Sequence, residues 1–291
     1  MTRSSVRFRQ AAPTPPGTLG ESLHVARPTV RPGARPQRLT RSAALAPRAR
    51  LQRLVLVLVT GASTGLGLAT VHALLADGHE VVLHARSPER VEDPAVLDRV
   101  AGAAYGDLSS LGATVALARE LDEVGRFDAV VHNAGTMDRS LATAVNVVAP
   151  YVLTALMRPP GRSIVLSSGM HRSGTTDLSR GGSYSDSKLW VTTLAMALAG
   201  LRPSTSSHAV DPGWVPTRIG GVGAPDDLAE GHRTQAWLAT APEESIEPRT
   251  AGYWHHRAPR EPHRATRDRD FQAKVLEHLE KSTGLRIESE E

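Results

Sequence analysis

A tyrosine and a lysine lie four residues apart in the segment Tyr184-Ser-Asp-Ser-Lys188. If this segment is helical, the two side chains point to the same face of the helix. A lysine cation beside a tyrosine stabilises the phenolate, so such a tyrosine can release and regain a proton. The pair therefore predicts a general acid and base. The chain has three lysines beside 31 arginines, so a lysine at this spacing is unusual by chance.

A glycine-rich segment, Thr60-Gly-Ala-Ser-Thr-Gly-Leu-Gly67, follows the apolar run Leu54–Val59. Glycines allow a tight turn and a close approach to a pyrophosphate, and a helix that follows offers free N–H groups to the phosphates. The spacing is Gly-x3-Gly-x-Gly, which differs from the Gly-x-Gly-x2-Gly of dehydrogenases with a separate nucleotide domain. The segment predicts a dinucleotide-binding loop, with contacts from Gly61, Ser63, Thr64, Gly65, Leu66 and Gly67.

The elements that must position these residues alternate between strands and helices. Apolar runs predict strands at 54–59, 80–84, 103–105, 128–132, 163–166, 207–210 and, less regularly, 251–255. Apolar residues at helical spacing predict helices at 65–77, 88–100, 110–124, 145–157, 185–199 and 226–239, and a closing helix around Phe271–Leu279. This order predicts an α/β fold, a Rossmann-like doubly wound parallel sheet with helices on both faces.

Composition separates residues 1–50 from residues 51–291. The first 50 residues hold ten arginines, seven prolines and one acid, so they carry +9 in a chain whose net charge is +4. Because they have few large apolar residues, we expect a disordered extension. Residues 51–291 are expected to form a single dinucleotide-binding catalytic domain in which 212–291 cover the substrate. A nucleic-acid-associated protein is the alternative that the basic extension suggests, but the acidic remainder and the lack of a nucleic-acid motif argue against it.

Several classes of protein are excluded by simple counts. The chain has no cysteine, which rules out disulfides and thiol catalysis. Its longest apolar run, Leu54–Val59, is far too short to span a membrane, and residues 1–50 lack the apolar stretch of a secretory signal. We therefore expect a cytoplasmic protein without a membrane or nucleic-acid partner. No metal site is expected either, because His255, His256 and His263 have no carboxylates beside them.

In their order along the chain, the motifs resemble the classical short-chain dehydrogenase/reductase family over about residues 53–285. One departure is His132, which stands where the family has the first of two asparagines. The Tyr-Trp-His-His segment is similar to actinobacterial ketoreductases of the daunorubicin type and, more loosely, to retinol dehydrogenase-like members. The other matching residues are Asp107, Asn133-Ala134-Gly135, Asn146, Ser167-Ser168, Tyr184 with Lys188, Asp211-Pro212-Gly213 and Thr217.

The resemblance implies an oxidoreductase that reduces a ketone or aldehyde, or oxidises a secondary alcohol, with a nicotinamide coenzyme. Tyr184 would be the general acid and base, Lys188 would also hold the nicotinamide ribose, and Ser168 would orient the substrate oxygen. Asn146 would anchor a water in a proton relay to Lys188. Further coenzyme contacts are implied for Asp107, Leu108, Asn133, Ala134, Gly135, Pro212, Gly213 and Thr217, in addition to Tyr184 and Lys188.

The end of the second strand bears on the choice of coenzyme. NAD-preferring members of the family place an aspartate where this chain has Ala85, whereas the next residue, Arg86, can hold a 2′-phosphate with a charged fork. NADP is therefore favoured over NAD.

Substrate contacts are expected from two places, the loop residues Met170 and His171 and the later Trp254 and His255. The alternative function is a non-catalytic dinucleotide-binding sensor or scaffold of the same fold, which the intact Tyr184 and Lys188 disfavour because a binder needs no proton donor. A homodimer is one option that the resemblance leaves open.

Overall fold

The computed structural model describes residues 5–8, 54–180 and 182–290. The strands are β1 Ser5–Phe8, β2 Leu56–Val59, β3 Glu80–Ala85, β4 Gly102–Tyr105, β5 Ala129–His132, β6 Arg162–Leu166, β7 Ser206–Asp211, β8 Gly252–His255 and β9 Ala258–Arg260. The helices are α1 Gly65–Ala76, α2 Leu111–Val124, α3 Ala149–Leu156, α4 Tyr184–Leu201, α5 Leu228–Thr240 and α6 Arg269–Thr283.

The described strands form one sheet in the order β1-β4-β3-β2-β5-β6-β7-β8-β9. Every pair from β4 to β8 is parallel, and only the outer strands β1 and β9 pair antiparallel. The chain order reverses between β2 and β5, and in such sheets ligands bind in the crevice at the carboxyl ends of the strands at this point. The predicted Rossmann-like parallel sheet is confirmed.

The apolar run of β2 is buried on both faces of the sheet. Val57 and Val59 point to the side covered by α1, where they pack in one cluster with Val71. Leu58 points to the opposite side and packs in another cluster with Leu117 of α2. Helices on both sides therefore hold β2 rigidly, and the glycine loop begins directly after it.

Two predicted helices differ in the structure. Residues 88–100 form two short 3₁₀ turns, Pro88–Arg90 and Pro94–Asp98, because Pro94 has no N–H and its ring clashes with the preceding turn. The helix expected at 145–157 begins with a π-helical turn, Ala144–Val148, before α3.

The expected extension, residues 1–50, lies outside the described residues except at Ser5–Phe8. These four residues form β1, which pairs with β4. They belong to the same compact unit as the chain from Leu54 onward. Within the described parts of the chain, every helix is too short or too polar to cross a bilayer.

Candidate active site

The start of α4 fixes the positions of Tyr184 and Lys188. Ser183 precedes the helix and its hydroxyl accepts a hydrogen bond from the backbone N–H of Asp186, while its own N–H donates to the Asp186 carboxylate at 3.0 Å. This capping box sets the first helical residue at Tyr184. Lys188 follows one turn later, with its Nζ 5.5 Å from the centre of the Tyr184 ring.

The side chain of Lys188 extends from α4 and is buried against the end of β6. Its Nζ donates a hydrogen bond of 2.6 Å to the carbonyl oxygen of Leu166. Burial lowers the pKa of this lysine to about 8, although the nearby Asp211 carboxylate acts in the opposite direction. Lys188 therefore carries its charge at neutral pH and loses it as the pH rises through about 8.

The Tyr184 phenol is held in its protonated form. Burial raises its pKa, the Asp211 carboxylate raises it further, and a hydrogen bond with the Ser168 hydroxyl opposes both. We expected the lysine cation to lower this pKa. In the unliganded structure burial dominates, because a phenolate would lose its hydration there. The protonated phenol is the form that can donate a proton.

The two serines after β6 lie in different surroundings. The Ser167 hydroxyl is buried and pairs with Thr192 of α4 at 2.6 Å. The Ser168 hydroxyl lies beside Tyr184 and accepts a hydrogen bond from the Met170 N–H at 3.2 Å. Ser168 is therefore the serine whose hydroxyl can contact a ligand bound at the Tyr184 phenol.

Asn146 lies in the π-helical turn, a feature that often marks functional sites. Its amide nitrogen donates to the carbonyl of Thr136 and to the hydroxyl of Ser187, and its Oδ1 accepts from the Thr136 N–H at 2.8 Å. Both amide hydrogens are thus used, and Oδ1 keeps one lone pair for a further donor. The structure brings Asn146 and Lys188 close to Gly135, where a Cβ would lie 3.4 Å from Asn146 Oδ1 and 3.6 Å from Lys188 Nζ.

The glycine loop is shaped for close approach. Gly61 has a φ of 62°, a conformation that favours glycine. A Cβ at Gly67 would lie 2.4 Å from Asn133 Nδ2 and 2.5 Å from the Gly61 oxygen. The same Asn133 amide donates to the carbonyl oxygens of Thr60 and Gly61. The loop therefore needs glycine at 67 to keep the Asn133 bonds and an open cradle.

We predict that Gly67→Ala abolishes coenzyme binding and lowers the free energy of unfolding by roughly 2 kcal/mol or more, since the new methyl group must displace backbone. Gly200→Ala is the matched control, because a Cβ there meets nothing within 4 Å and lies in the last turn of α4. It should leave coenzyme binding unchanged and stabilise the protein by up to about 1 kcal/mol. Fluorescence titration with NADPH and urea unfolding measure both effects. Normal NADPH binding by Gly67→Ala would contradict the assignment of the loop.

His84 at the end of β3 also holds the glycine loop. The sequence did not predict this role. Its Nδ1 accepts a hydrogen bond from the Gly61 N–H at 3.1 Å, and its Nε2 lies 3.1 Å from the carbonyl oxygen of Gly106. The proton is therefore on Nε2. Burial lowers the pKa of His84 to about 4, so the ring stays neutral and does not add charge to the cradle.

A groove of about 480 Å³ runs along the glycine loop. Arg86 and Arg90 both line it. Burial acts to raise the pKa of Asp107, but hydrogen bonds from Ser109, together with the charges of the two arginines, hold this pKa below its usual range. The cradle and this basic pair fit a phosphorylated dinucleotide. The groove contains these predicted coenzyme residues: Gly61, Ser63, Thr64, Gly65, Leu66, Gly67, Arg86, Asp107, Leu108, Asn133, Ala134, Gly135 and Thr217.

A second cavity, of about 610 Å³, adjoins the groove and shares walls with it at Asn133, Gly135 and Thr217. It contains the remaining predicted residues with the exception of Asn146: Ser168, Tyr184, Lys188, Pro212 and Gly213. Asp211 also lines it, with its carboxylate accepting hydrogen bonds from the Tyr253 hydroxyl and the Gly213 N–H. The phenol, the lysine and the serine therefore face a cavity that continues into the dinucleotide groove.

A sequence profile described as short chain dehydrogenase matches residues 55–223, which is more than half of the chain. The chain belongs to the short-chain dehydrogenase family. The predicted family is thereby confirmed, and with it the enzyme class, an oxidoreductase that uses NAD or NADP.

Two similar proteins of the short-chain dehydrogenase family show how far the likeness extends. The short-chain dehydrogenase chry4 of Gibberella zeae is 34% identical over 80% of this chain and 98% of its own. A Streptomyces protein named for daunorubicin C-13 ketoreduction, DnrU, is 32% identical over 69% of this chain and 83% of its own. The likeness to the daunorubicin ketoreductase type is thus confirmed as a similarity of sequence.

Solved structures share the fold. The NADPH-bound carbonyl reductase from chicken fatty liver has a TM-score of 0.57 and 22% identity, over 72% of this chain and 94% of its own. A metagenomic short-chain oxidoreductase in complex with NADP has a TM-score of 0.52 and 27% identity, over 66% of this chain and 93% of its own.

Three side chains of this short-chain dehydrogenase lie away from the places that we expected. Trp254 is buried and donates to His208 Nδ1 at 3.1 Å, so it cannot contact substrate. His171 is fully buried, with its Nδ1 2.7 Å from the carbonyl oxygen of Ser168. His255 lies against Asp211, outside the lining of the cavity. Among the described residues, the aromatic side chain that lines the cavity besides Tyr184 is Trp214, which lies in none of the predicted strands or helices.

His171 holds the segment of Ser168 and does not line the cavity. A carbonyl can only accept, so Nδ1 donates to Ser168 and carries the ring proton. Nε2 then accepts the His263 N–H at 2.9 Å. This neutral ring connects the loop after β6 to the segment that precedes α6. Among the described residues, no group of histidines and carboxylates could hold a metal ion.

Proposed function

We propose that this protein is an NADPH-dependent carbonyl reductase, which oxidises a secondary alcohol in the reverse direction. One observation supports this most strongly: Tyr184, Lys188 and Ser168 converge on a cavity that opens into the glycine-lined groove. A dinucleotide in the groove would place its reactive end beside the phenol. A sensor would need the groove but not the convergence of these three groups.

The residues divide the chemistry between them. Bound NADPH supplies the hydride. The Ser168 hydroxyl orients the carbonyl oxygen of the substrate, and the Tyr184 phenol donates its proton to that oxygen as negative charge develops. Lys188 stabilises the phenolate that remains until solvent returns the proton. We assign to Asn146 the role of holding a water on this return path, through the free lone pair of its Oδ1.

NADP is the coenzyme that the groove favours. Arg86 and Arg90 place two guanidinium groups beside Asp107, and no acidic side chain stands at Ala85. Guanidinium groups bind phosphate oxygens in a charged fork. Short-chain oxidoreductases solved with NADP or NADPH are among the similar structures, which supports the same choice.

We predict that Arg86→Ala combined with Ala85→Asp reverses the coenzyme preference. Losing a charged hydrogen-bond partner costs about 1.5–3 kcal/mol, so kcat/KM with NADPH should fall about 10- to 100-fold relative to NADH. Arg233→Ala is the matched control, since this exposed arginine pairs with Glu230 on α5. It should leave the ratio unchanged. A parent protein that already prefers NADH would contradict the role given to Arg86.

A carbonyl panel followed by NADPH absorbance at 340 nm tests the function itself. The protein should oxidise NADPH only when a ketone or aldehyde is added. Tight binding of NADPH with no turnover on any carbonyl would instead support the sensor or scaffold.

Four further predictions remain proposals. We propose that residues 51–291 act as one catalytic domain in the cytoplasm and that residues 212–291 cover the substrate. A homodimer is the oligomeric state that we propose to test by light scattering. Pro212 to Gly220 lines the cavity, whereas Phe271 and Val275 of α6 pack in the core with residues of α4. The covering role is thus best supported at 212–220.

A further inference from the structure

The mouth of the substrate cavity carries large apolar side chains in contact with solvent. Among residues 54–180 and 182–290, seven large apolar side chains are exposed, and four of them line this one cavity. They come from three different loops, after β5, β6 and β7. Clustered apolar exposure of this kind marks a binding surface, whereas single exposed apolar residues need no explanation. The four are Met137, Met170, Trp214 and Ile219.

Two of these four residues line the substrate cavity alone. Met137 and Ile219 line both the cavity and the coenzyme groove, so they lie at the junction of the two. Met170 and Trp214 line the cavity but not the groove, and they are 47% and 60% exposed. A ligand beyond the nicotinamide end would therefore contact Met170 and Trp214.

The loop after β7 holds Trp214 in this open position. The indole Nε1 donates a hydrogen bond of 2.8 Å to the carbonyl oxygen of Gly220, and the backbone N–H donates to the Asp226 carboxylate. A Cβ at Gly220 would lie 2.0 Å from the Val215 oxygen, so the close turn requires glycine. The ring is thus fixed before any ligand arrives, and little side-chain entropy is lost on binding.

Apart from the catalytic lysine, the described lining of the cavity offers no cation to an anionic ligand. Among its described lining residues the charged side chains are Lys188 and Asp211. The Lys188 Nζ lies at the catalytic end and donates to the Leu166 carbonyl oxygen, and no arginine is among the described residues that line the cavity. A carboxylate or phosphate on the substrate would meet the Asp211 carboxylate and find no guanidinium. A neutral ligand meets no such repulsion.

We propose that the substrate is a neutral ketone or aldehyde with a large apolar body, such as a long alkyl or fused aromatic group. This inference rests on the proposed function for the carbonyl group of the substrate. It rests on Met170 and Trp214 for the apolar character of the rest of the substrate. The carbonyl lies at Ser168 and Tyr184, and the apolar body lies across Met170 and the Trp214 ring. Methionine adapts its shape to different bodies, and the indole offers a flat face.

A homologous series of methyl ketones tests the class. Each buried methylene is worth about fourfold in kcat/KM, so the four added methylenes should raise the value on the order of 100-fold from 2-butanone to 2-octanone. The near-isosteric pair 4′-isopropylacetophenone and 4-acetylbenzoate tests the charge, and the carboxylate should cost about tenfold or more. Equal kcat/KM along the series, or a preference for 4-acetylbenzoate, would overturn the proposal.

Variants connect this preference to the two residues. Trp214→Ala should lower kcat/KM for 2-octanone about tenfold and change 2-butanone by less than about twofold, while Trp214→Phe should keep most of the preference. Leu111→Ala is the matched control, because Leu111 is also an exposed apolar residue but lies on α2 outside the cavity. It should change neither substrate. A uniform loss on both ketones in Trp214→Ala would contradict a substrate-contacting role.

Binding separates failure of this proposal from failure of the proposed function. Titration of the NADP⁺-bound protein with 2-octanone, a combination that cannot react, should change the Trp214 emission, and the change should be absent in Trp214→Phe. Binding of 2-octanone without turnover of any ketone would overturn the reductase and leave the ligand class standing. Turnover of small ketones with no binding of 2-octanone would overturn the class and leave the reductase standing.

Discussion

Tyr184→Phe is expected to lower carbonyl reduction by about 10²–10⁴-fold, which is the usual contribution of a positioned general acid. The substitution keeps the ring and removes only the hydroxyl that pairs with Ser168. Coenzyme binding should remain nearly intact, because the glycine cradle does not involve this hydroxyl. Steady-state kinetics with NADPH and a reactive ketone, together with NADPH titration, separate the two effects.

Tyr151→Phe is the matched control for this variant. Tyr151 is also buried, and its hydroxyl donates to the carbonyl oxygen of Leu285 at 2.8 Å, outside both cavities. Its loss should cost about 1 kcal/mol of stability and leave turnover unchanged. If Tyr184→Phe kept the activity of Tyr151→Phe, the phenol would not be the proton donor.

Lys188→Met should lower kcat about 100-fold, because it removes the cation beside the developing phenolate. At the 5.5 Å between Nζ and the ring centre, and with an effective dielectric constant of about 20, the attraction is roughly 3 kcal/mol. The apparent KM for NADPH should rise as well if the lysine also holds the nicotinamide ribose. Lys274→Met, an exposed residue of α6, is the matched control and should behave as the parent protein.

The pH dependence of the parent protein is a separate test of the same lysine. Since the pKa of Lys188 is lowered to about 8, its cation is present below that pH and is lost above it. Reduction should therefore decline as the pH rises through about 8, and this decline should be missing in Lys188→Met. Thermal unfolding of the variant checks that the Leu166 carbonyl, which loses its partner, has not destabilised the fold. A well-folded Lys188→Met protein with normal kcat would contradict the role of the cation.

Features that depend on short stretches of sequence could be predicted. The buried strand β2, the glycines at 61, 65 and 67, and the Tyr184–Lys188 pair each follow from local spacing. The helix expected at 88–100 was wrong because Pro94 outweighs the apolar periodicity on either side of it. Periodicity describes regular elements well, but one proline can stop a helix.

Features that depend on contacts between distant residues could not be predicted. His84 holds the glycine loop only because β3 lies beside it, and His171 holds Ser168 only because the segment at His263 packs against it. Trp254 and Trp214 look alike in the sequence. The first is buried beside Trp237, and the second is fixed in the open by Gly220. The four-residue strand β1 could not be predicted from the sequence pattern either, since it forms by pairing with β4.

The most direct measurement of the central claim is isotope transfer from coenzyme to product. NADPH deuterated at both C4 positions of the nicotinamide is incubated with the protein and 2-octanone, and the product is analysed by mass spectrometry. The account predicts 2-octanol with one deuterium on the carbinol carbon, formed far more slowly by Tyr184→Phe. Binding of NADPH with no deuterated alcohol from any ketone, or equal label transfer by Tyr184→Phe, would contradict it.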